Sequence, residues 1–302
     1  MSALAAKMAQ TRKNRHETEG VSARIELSII IVSYNNYDIL KECLASIKEF
    51  NDIGSTLEVI VVEQSPEENI YRKLLSDFSW VTTIRRENNG FGAGNNAGSR
   101  VAHGRFLLFL NPDTILIEPV FGFAIKCFES DSRLGMFGVR LVNRDGDRNQ
   151  SFYFRKPYGL LRGSVLYRIC DRFSLFIPNA MYITGADMFV RTKAFTETGG
   201  FDERMFMYFE ETYLCDKLNN LGYYIAFYPE KRIVHLEGAT SAAVNILQRR
   251  LDSLKYLCQE KKWSYSSVLK FMRRDRVMKS LLGSDRSAEI ALIDSVLNEV
   301  KQ

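Results

Sequence analysis

Asp113 closes a short apolar run, Phe106-Leu107-Leu108-Phe109-Leu110-Asn111-Pro112-Asp113. A run that short, ended by proline and a carboxylate, predicts an interior strand that delivers Asp113 to the carboxyl edge of a sheet. Ligands of open α/β sheets gather at that edge. A lone carboxylate there is either a cap for the next turn or an oxygen ligand suited to Mg²⁺ or Mn²⁺ shared with substrate phosphates. Two adjacent acids, Glu210-Glu211, open a segment with helical spacing at Leu214, Leu218 and Leu221. Acids in a first turn complement the helix dipole, and one that faces a substrate hydroxyl is a general base. His235 follows Ile233-Val234 at the end of a predicted strand, where a structural and a ligand role both stand open.

The segment Asn88-Asn89-Gly90-Phe91-Gly92-Ala93-Gly94-Asn95-Asn96-Ala97-Gly98 reads as a Gly/Asn loop entering a helix. Its glycines either make tight turns or bring backbone N–H groups against a nucleotide. Gly92-x-Gly94-x-x-Ala97 also satisfies a dinucleotide fingerprint, with Asp113 about 20 residues on, so a nicotinamide-dependent enzyme is a rival reading. Against it, two strand–helix units precede the segment, whereas that fingerprint follows the first strand of its domain.

Stepping outward, Glu26 to Val32 is continuous and β-branched, which predicts a first strand buried on both faces. A helix follows, with Asp38 near its start and Leu40, Leu44 and Ile47 on one stripe. Glu58 to Val62 predicts a second strand, Glu67 to Phe78 its crossover helix, and Trp80 to Arg86 a more polar third strand. This alternation implies a mostly parallel sheet flanked by helices. Met136 to Val142 predicts another strand, with a hairpin turn at Arg144-Asp145-Gly146-Asp147. Ser151 to Pro178 mixes aromatic with basic residues. From Ser241 on the pattern is helical: Val244, Leu247, Leu251, Leu254 and Cys258 share a stripe, and Ser266 to Leu282 and Ser287 to Val300 predict two more helices.

With 302 residues, 46% hydrophobic and 25% charged, the chain has the composition of a globular protein with a real core. No apolar run approaches the roughly 18 residues that span a bilayer. The polar stretch Met1 to Arg24 reads as a leader rather than a signal peptide. Five scattered cysteines with no CxxC pair argue against a disulfide framework or zinc site and for a reducing cytoplasm. A net charge of +5 admits nucleotides or an anionic membrane surface as partners and does not call for nucleic acid.

Taken in order, six segments resemble family 2 glycosyltransferases with the GT-A fold, within them the bacterial rhamnosyltransferase-like group. They are Ile30 to Asn35, Asn89 to Asn96, Leu110 to Asp113, Thr184-Gly185-Ala186, Gly199 to Glu203, and Phe209-Glu210-Glu211, with His235 beyond them. The resemblance implies three units: residues 1–25 as a disordered leader, 26–240 as the GT-A domain and 241–302 as a helical C-terminal extension. It implies that Ser33, Tyr34, Asn35 and Glu63 line the nucleoside pocket, and that Asn89, Gly90, Gly94, Asn95 and Asn96 hold ribose and diphosphate. Asp113 then stands as the metal-binding member of the family's DxD motif, with Asn111 in place of its first acid. His235 joins the metal, and Glu211, beside Glu210, is the catalytic base. The implied reaction is an inverting, Mg²⁺- or Mn²⁺-dependent transfer from a dTDP- or UDP-sugar, rhamnose among the candidates, to a glycan or lipid-linked glycan of the cell surface. Its place is the cytoplasm, at the inner face of the membrane, where the basic helices and the aromatic segment would rest or a homodimer would form. Where the family usually has Asp, this chain has Glu63, Glu211 and Tyr213. Those departures keep a second reading alive, a sugar-nucleotide-binding relative without turnover.

Overall fold

The computed structural model describes residues 24–155, 160–236, 243–281 and 283–300. The expected leader, Glu237-Gly238 and the boundary at residue 240 lie outside them. The elements in chain order are β1 (Leu27–Ser33), α1 (Tyr37–Glu49), β2 (Leu57–Glu63), α2 (Glu68–Asp77), β3 (Thr82–Arg85), α3 (Phe91–Ser99), β4 (Phe106–Leu110) and β5 (Thr114–Leu116). Then come α4 (Phe121–Ser130), β6 (Leu134–Val142), β7 (Phe152–Phe154), α5 (Leu160–Arg172), β8 (Met181–Ile183), β9 (Asp187–Arg191) and α6 (Thr192–Glu197). The chain continues with α7 (Glu210–Asn220), β10 (Tyr224–His235), α8 (Ala243–Glu260), α9 (Tyr265–Leu281) and α10 (Ser287–Glu299).

One eight-stranded sheet, in the order β3-β2-β1-β4-β9-β6-β10-β5, forms the centre. It is mostly parallel: β9 runs antiparallel to β4 and β6, and β5 antiparallel to β10. The unbroken β-branched run of β1 has its expected cause. Leu27, Ile29 and Ile31 enter the core on one face with α1 and α4, while Ile30 enters the core on the other. Each such residue taken fully out of water contributes about 1.5–3 kcal/mol. The stripe Leu40, Leu44, Ile47 is wholly buried, as expected for α1.

A two-stranded antiparallel ribbon, β7 with β8, covers part of the second face. Of the aromatic segment, Phe152 is buried, and Tyr153, Phe154, Tyr167 and Phe176 pack against this core. The helices α8, α9 and α10 share a separate core in which Leu247, Leu251, Leu254 and Cys258 meet Val268, Leu269 and Ile293. Met205 and Phe209 of the preceding domain belong to the same cluster.

One sequence expectation needs correction here. Helix α3 starts at Phe91, so most of the Gly/Asn segment is helix rather than loop. Its glycines serve packing: a Cβ on Gly94 would lie 2.8 Å from Val32 Cγ2, and one on Gly98 would lie 2.4 Å from Ile30 Cγ2. The helix therefore sits directly on β1; of the fingerprint glycines, Gly94 makes that contact and Gly92 faces Phe201.

Candidate active site

Asp113 and His235 meet because of strand register. β5 pairs with β10 so that His235 lies opposite Thr114, one residue beyond Asp113. Leu236 N–H donates to the Asp113 carbonyl at 2.9 Å, and the side chains approach to 3.4 Å between His235 Nε2 and Asp113 Oδ1. Asn149 Nδ2 donates to the His235 carbonyl and fixes the strand end from the other side. Among the described residues no group of three or more His, Cys, Asp or Glu converges on one point. One carboxylate and one imidazole fit a divalent ion that takes its remaining ligands from water and substrate phosphate. Asn111 has no charge to add; its N–H donates to the Ala186 carbonyl, tying the end of β4 to the Thr184-Gly185-Ala186 segment.

A cavity of about 640 Å³ opens at the ends of β1, β2 and β3, lined by Tyr34, Gln64, Ser65, Arg85, Arg86 and Asn88 among others. Tyr34 is well exposed there and offers a ring face. Asn35 adopts φ 51°, and its N–H donates to Ser65 Oγ, which joins the two strand ends. Ser33 and Glu63, expected to line the pocket, are instead fully buried beneath it. Ser33 donates to Asn36 Oδ1, and Glu63 Oε1 accepts Ser65 N–H at 2.7 Å, while Glu63 Oε2 has no partner. The longer Glu side chain folds back under its own strand end, so these two residues shape the pocket from behind.

The Gly/Asn residues divide. Asn89 is exposed at the rim, and Gly90 has φ 101° with the Phe206 carbonyl oxygen where a Cβ would stand, so only glycine fits. Phe91 N–H donates to that same carbonyl at 2.9 Å, which stitches the segment to the loop before Glu210. Asn95 and Asn96 are withdrawn from the nucleotide role: both are buried. Asn95 Nδ2 donates to the Phe91 carbonyl. Asn96 Nδ2 donates to the Phe201 carbonyl and Glu203 Oε1, and its Oδ1 accepts Phe201 N–H. Helical geometry turns Asn96 toward the Gly200-Phe201-Asp202-Glu203 turn. A second depression beside that turn contains Arg100, Arg204 and Glu203, whose charges pair with one another and with Asp202.

Of the two acids at the start of α7, Glu210 is buried and Glu211 half-buried. Glu210 is pushed well above the usual carboxylate range by burial and by the neighbouring Glu211 charge, and its burial sets it further from an incoming substrate than Glu211. Glu211 is also raised by burial, against backbone N–H groups that include Gly185 and against the positive charge of Arg250. Gly185 precedes Ala186, which accepts the hydrogen bond from Asn111, two residues before Asp113. The base candidate and the metal-ligand candidate thus lie at one edge of the sheet. Burial raises both acids, and Glu211, half-buried and met by the Gly185 N–H and the Arg250 charge, is the base candidate of the two.

The profile of "Glycosyl transferase family 2" matches residues 28–195, more than half of the chain. The chain belongs to this family. As a family 2 glycosyltransferase it is similar to the rhamnosyltransferase WbbL of Escherichia coli K12, 22% identical over 265 residues, covering 83% of this chain and 94% of the relative. A local stretch of 54 residues is 39% identical to the N-acetylglucosaminyl-diphospho-decaprenol L-rhamnosyltransferase of Mycobacterium tuberculosis, covering 18% of each chain. In fold, the glycosyltransferase matches the mannosyltransferase PcManGT of Pyrobaculum calidifontis, solved with GDP-Man and Mn²⁺. That match has a TM-score of 0.56 at 14% identity and covers 96% of this chain and 87% of the other. The curled, mostly parallel sheet with flanking helices is the GT-A architecture.

Several residues around the candidate site carried little signal in the sequence. Gln64, Ser65, Arg85 and Arg86 line the nucleoside-side cavity, and the signal was their position just past predicted strand ends. Arg250 and Asn149 carried no such signal, because their approach depends on distant segments docking.

Proposed function

We propose that the protein transfers a sugar, with rhamnose the leading candidate, from a dTDP- or UDP-sugar to a glycan or lipid-linked glycan, inverting the anomeric centre with a divalent ion. What supports this reading is the shared sheet edge of Asp113, His235 and Glu211 beside a cavity sized for a nucleoside. The rhamnosyltransferase relatives support the sugar, and a relative that acts on a diphospho-decaprenol sugar supports the lipid-linked acceptor.

In this reading Tyr34 and the cavity take the nucleoside, and Asn89 with Gly90 takes ribose and diphosphate. Asp113 and His235 would hold Mg²⁺ or Mn²⁺, which supplies charge neutralisation for the departing diphosphate. The acceptor hydroxyl forms the new C–O bond from the face opposite the leaving group and gives its proton to Glu211. The bond from the anomeric carbon to the diphosphate oxygen breaks, and its electron pair leaves with the nucleoside diphosphate. Tyr213 does not argue for an inactive relative, since its hydroxyl reaches Glu260 of α8 at 3.2 Å and so acts in docking the extension.

The work of the enzyme belongs at the inner face of the cytoplasmic membrane. Leu166, Ile169, Phe173, Leu175 and Ile177 are all more than 40% exposed along α5 and the turn after it. Arg168 and Arg172 are exposed beside them. An apolar stripe with cations at its margin suits an anionic lipid surface. The basic helices are less suited than their sequence suggested: Arg273 is paired with Asp294, and Arg250 is turned inward over Phe209. No helix among the described residues is long and apolar enough to cross a membrane.

Release of nucleoside diphosphate from dTDP-rhamnose and UDP-sugars, with Mg²⁺ or Mn²⁺, tests the reading. Glu211→Gln should lower kcat by about 10²–10⁴-fold, the usual worth of a general base. Asp113→Ala should lower kcat/KM by roughly 10²–10³-fold, the several kcal/mol that a metal's charge supplies. Full activity in either variant would remove that residue from its role.

A further inference from the structure

Two consecutive residues that carry side chains, Tyr208 and Phe209, stand in the left-handed region at φ 74° and 71°. Such backbone persists only where the surroundings over-determine it, and it gathers at functional sites. This turn sits immediately before Glu210-Glu211, and the contacts that hold it come from the far end of the chain. Ser253 of α8 donates to the Met207 carbonyl at 2.7 Å, and Tyr256 of α8 donates to Asp202 Oδ2 at 2.9 Å. Met205 and Phe209 are buried among Leu247, Leu251 and Leu254. On the same helix, the Arg250 guanidinium stands 5.4 Å from the centre of the Phe209 ring.

We propose that Arg250 is a positioning residue of the active site: α8 seats its guanidinium against the Phe209 ring of the strained turn and so sets the Glu211 carboxylate that follows this turn toward the acceptor hydroxyl. The proposal rests on the reading of Glu211 as the base. The groups facing Glu211 are few. Its own helix brings Glu210, and the turn before it brings Tyr208. The β8 side brings Tyr182 and the Gly185 N–H, and α8 brings Arg250. Burial raises Glu210 and the two tyrosines, which disfavours a charge on all three. Arg250 is then the full charge that opposes the burial of Glu211. A C-terminal extension placed this way is part of the catalytic apparatus, in addition to any role at a membrane or a partner.

The test is the pH profile of kcat for the full-length protein, read by nucleoside diphosphate release, in Arg250→Met, Arg250→Gln, Arg250→Lys, Ser253→Ala and Glu211→Gln. Loss of an opposing charge raises a carboxyl pKa, so the acid limb of kcat should move up by about half to one pH unit in R250M and R250Q. At a pH inside that window kcat falls by up to about tenfold with donor KM nearly unchanged, and R250K restores the limb. S253A should lower the thermal midpoint while leaving the limb in place. Two neutral replacements keep the test sound should one fail to fold. An unmoved limb in both, with E211Q inactive, overturns the role of Arg250 and spares the base. Full activity in E211Q overturns both.

Discussion

Asp187 is a carboxyl whose surroundings disfavour its charge. It is fully buried on β9, beside Leu110 in register; its Oδ2 accepts Val139 N–H at 2.6 Å, and Oδ1 has no partner. Burial pushes its pKa well above the carboxylate range. A carboxyl whose folded pKa exceeds its unfolded value near 3.9 binds its proton more tightly when folded. Its share of stability is therefore present in acid and is lost as pH rises through the folded value. Asp187→Asn keeps an acceptor for Val139 and cannot ionise, so its thermal midpoint relative to wild type should be higher at pH 9 than at pH 5. A difference that is the same at both ends of that range would mean that Asp187 is not protonated in the fold. Asn96 is the converse, a neutral side chain with all its partners supplied. Asn96→Ala leaves the Phe201 N–H and carbonyl unpaired, at a cost of roughly 2–4 kcal/mol. Urea unfolding should show that loss, and a loss under about 1 kcal/mol would mean water replaces the amide.

Among the elements, α3 illustrates packing against propensity. Alanine is favoured over glycine inside a helix by about 1 kcal/mol, so Gly98→Ala should stabilise an isolated α3. In the protein the added Cβ meets Ile30 Cγ2 at 2.4 Å and Val62 Cγ2 at 3.2 Å, and overpacking of that kind costs about 1–3 kcal/mol. The contact wins, and the variant should be destabilised by about 1–2 kcal/mol in equilibrium unfolding, with KM for the donor raised as α3 lifts from β1. A stabilised G98A would show that β1 and α3 can separate freely. The same closeness accounts for the misread loop: its Gly and Asn residues look like turn chemistry, yet Gly94, Asn96 and Gly98 answer to neighbours the local sequence does not contain.

At the scale of the whole molecule, the proposed reading gives the exposed stripe of α5 and the latch of α8 distinct tasks, one toward an acceptor-bearing surface and one toward the base. Transfer of a large apolar side chain out of water is worth about 1.5–3 kcal/mol, and a juxtamembrane Arg about 1 kcal/mol. Phe173→Ser with Leu175→Ser should therefore weaken binding to vesicles rich in anionic lipid by at least about tenfold. Arg168→Gln with Arg172→Gln should do so mainly at low salt, where surface charge is least screened. Sedimentation with vesicles reads both, and wild-type protein left wholly in the supernatant at low salt would remove the membrane from this account.

Local pattern determined much of this protein. The unbroken apolar runs of β1, β2 and β4, the stripe of α1, and the stripes of α8 and α9 are periodicities that only one packing satisfies, so their elements sit within a residue or two of expectation. Asp113 at the close of β4 and Glu211 in the first turn of α7 were legible for the same reason, because strand and helix ends fix where such groups point. Tertiary structure alone decided which candidates touch the cleft. The pairing of β5 with β10 brings His235 to Asp113, the fit of α3 on β1 turns Asn95 and Asn96 inward, and the return of α8 sets Arg250 over Phe209, which precedes Glu210-Glu211. Those outcomes depend on contacts between residues dozens to more than a hundred positions apart, and no periodicity within one segment encodes them.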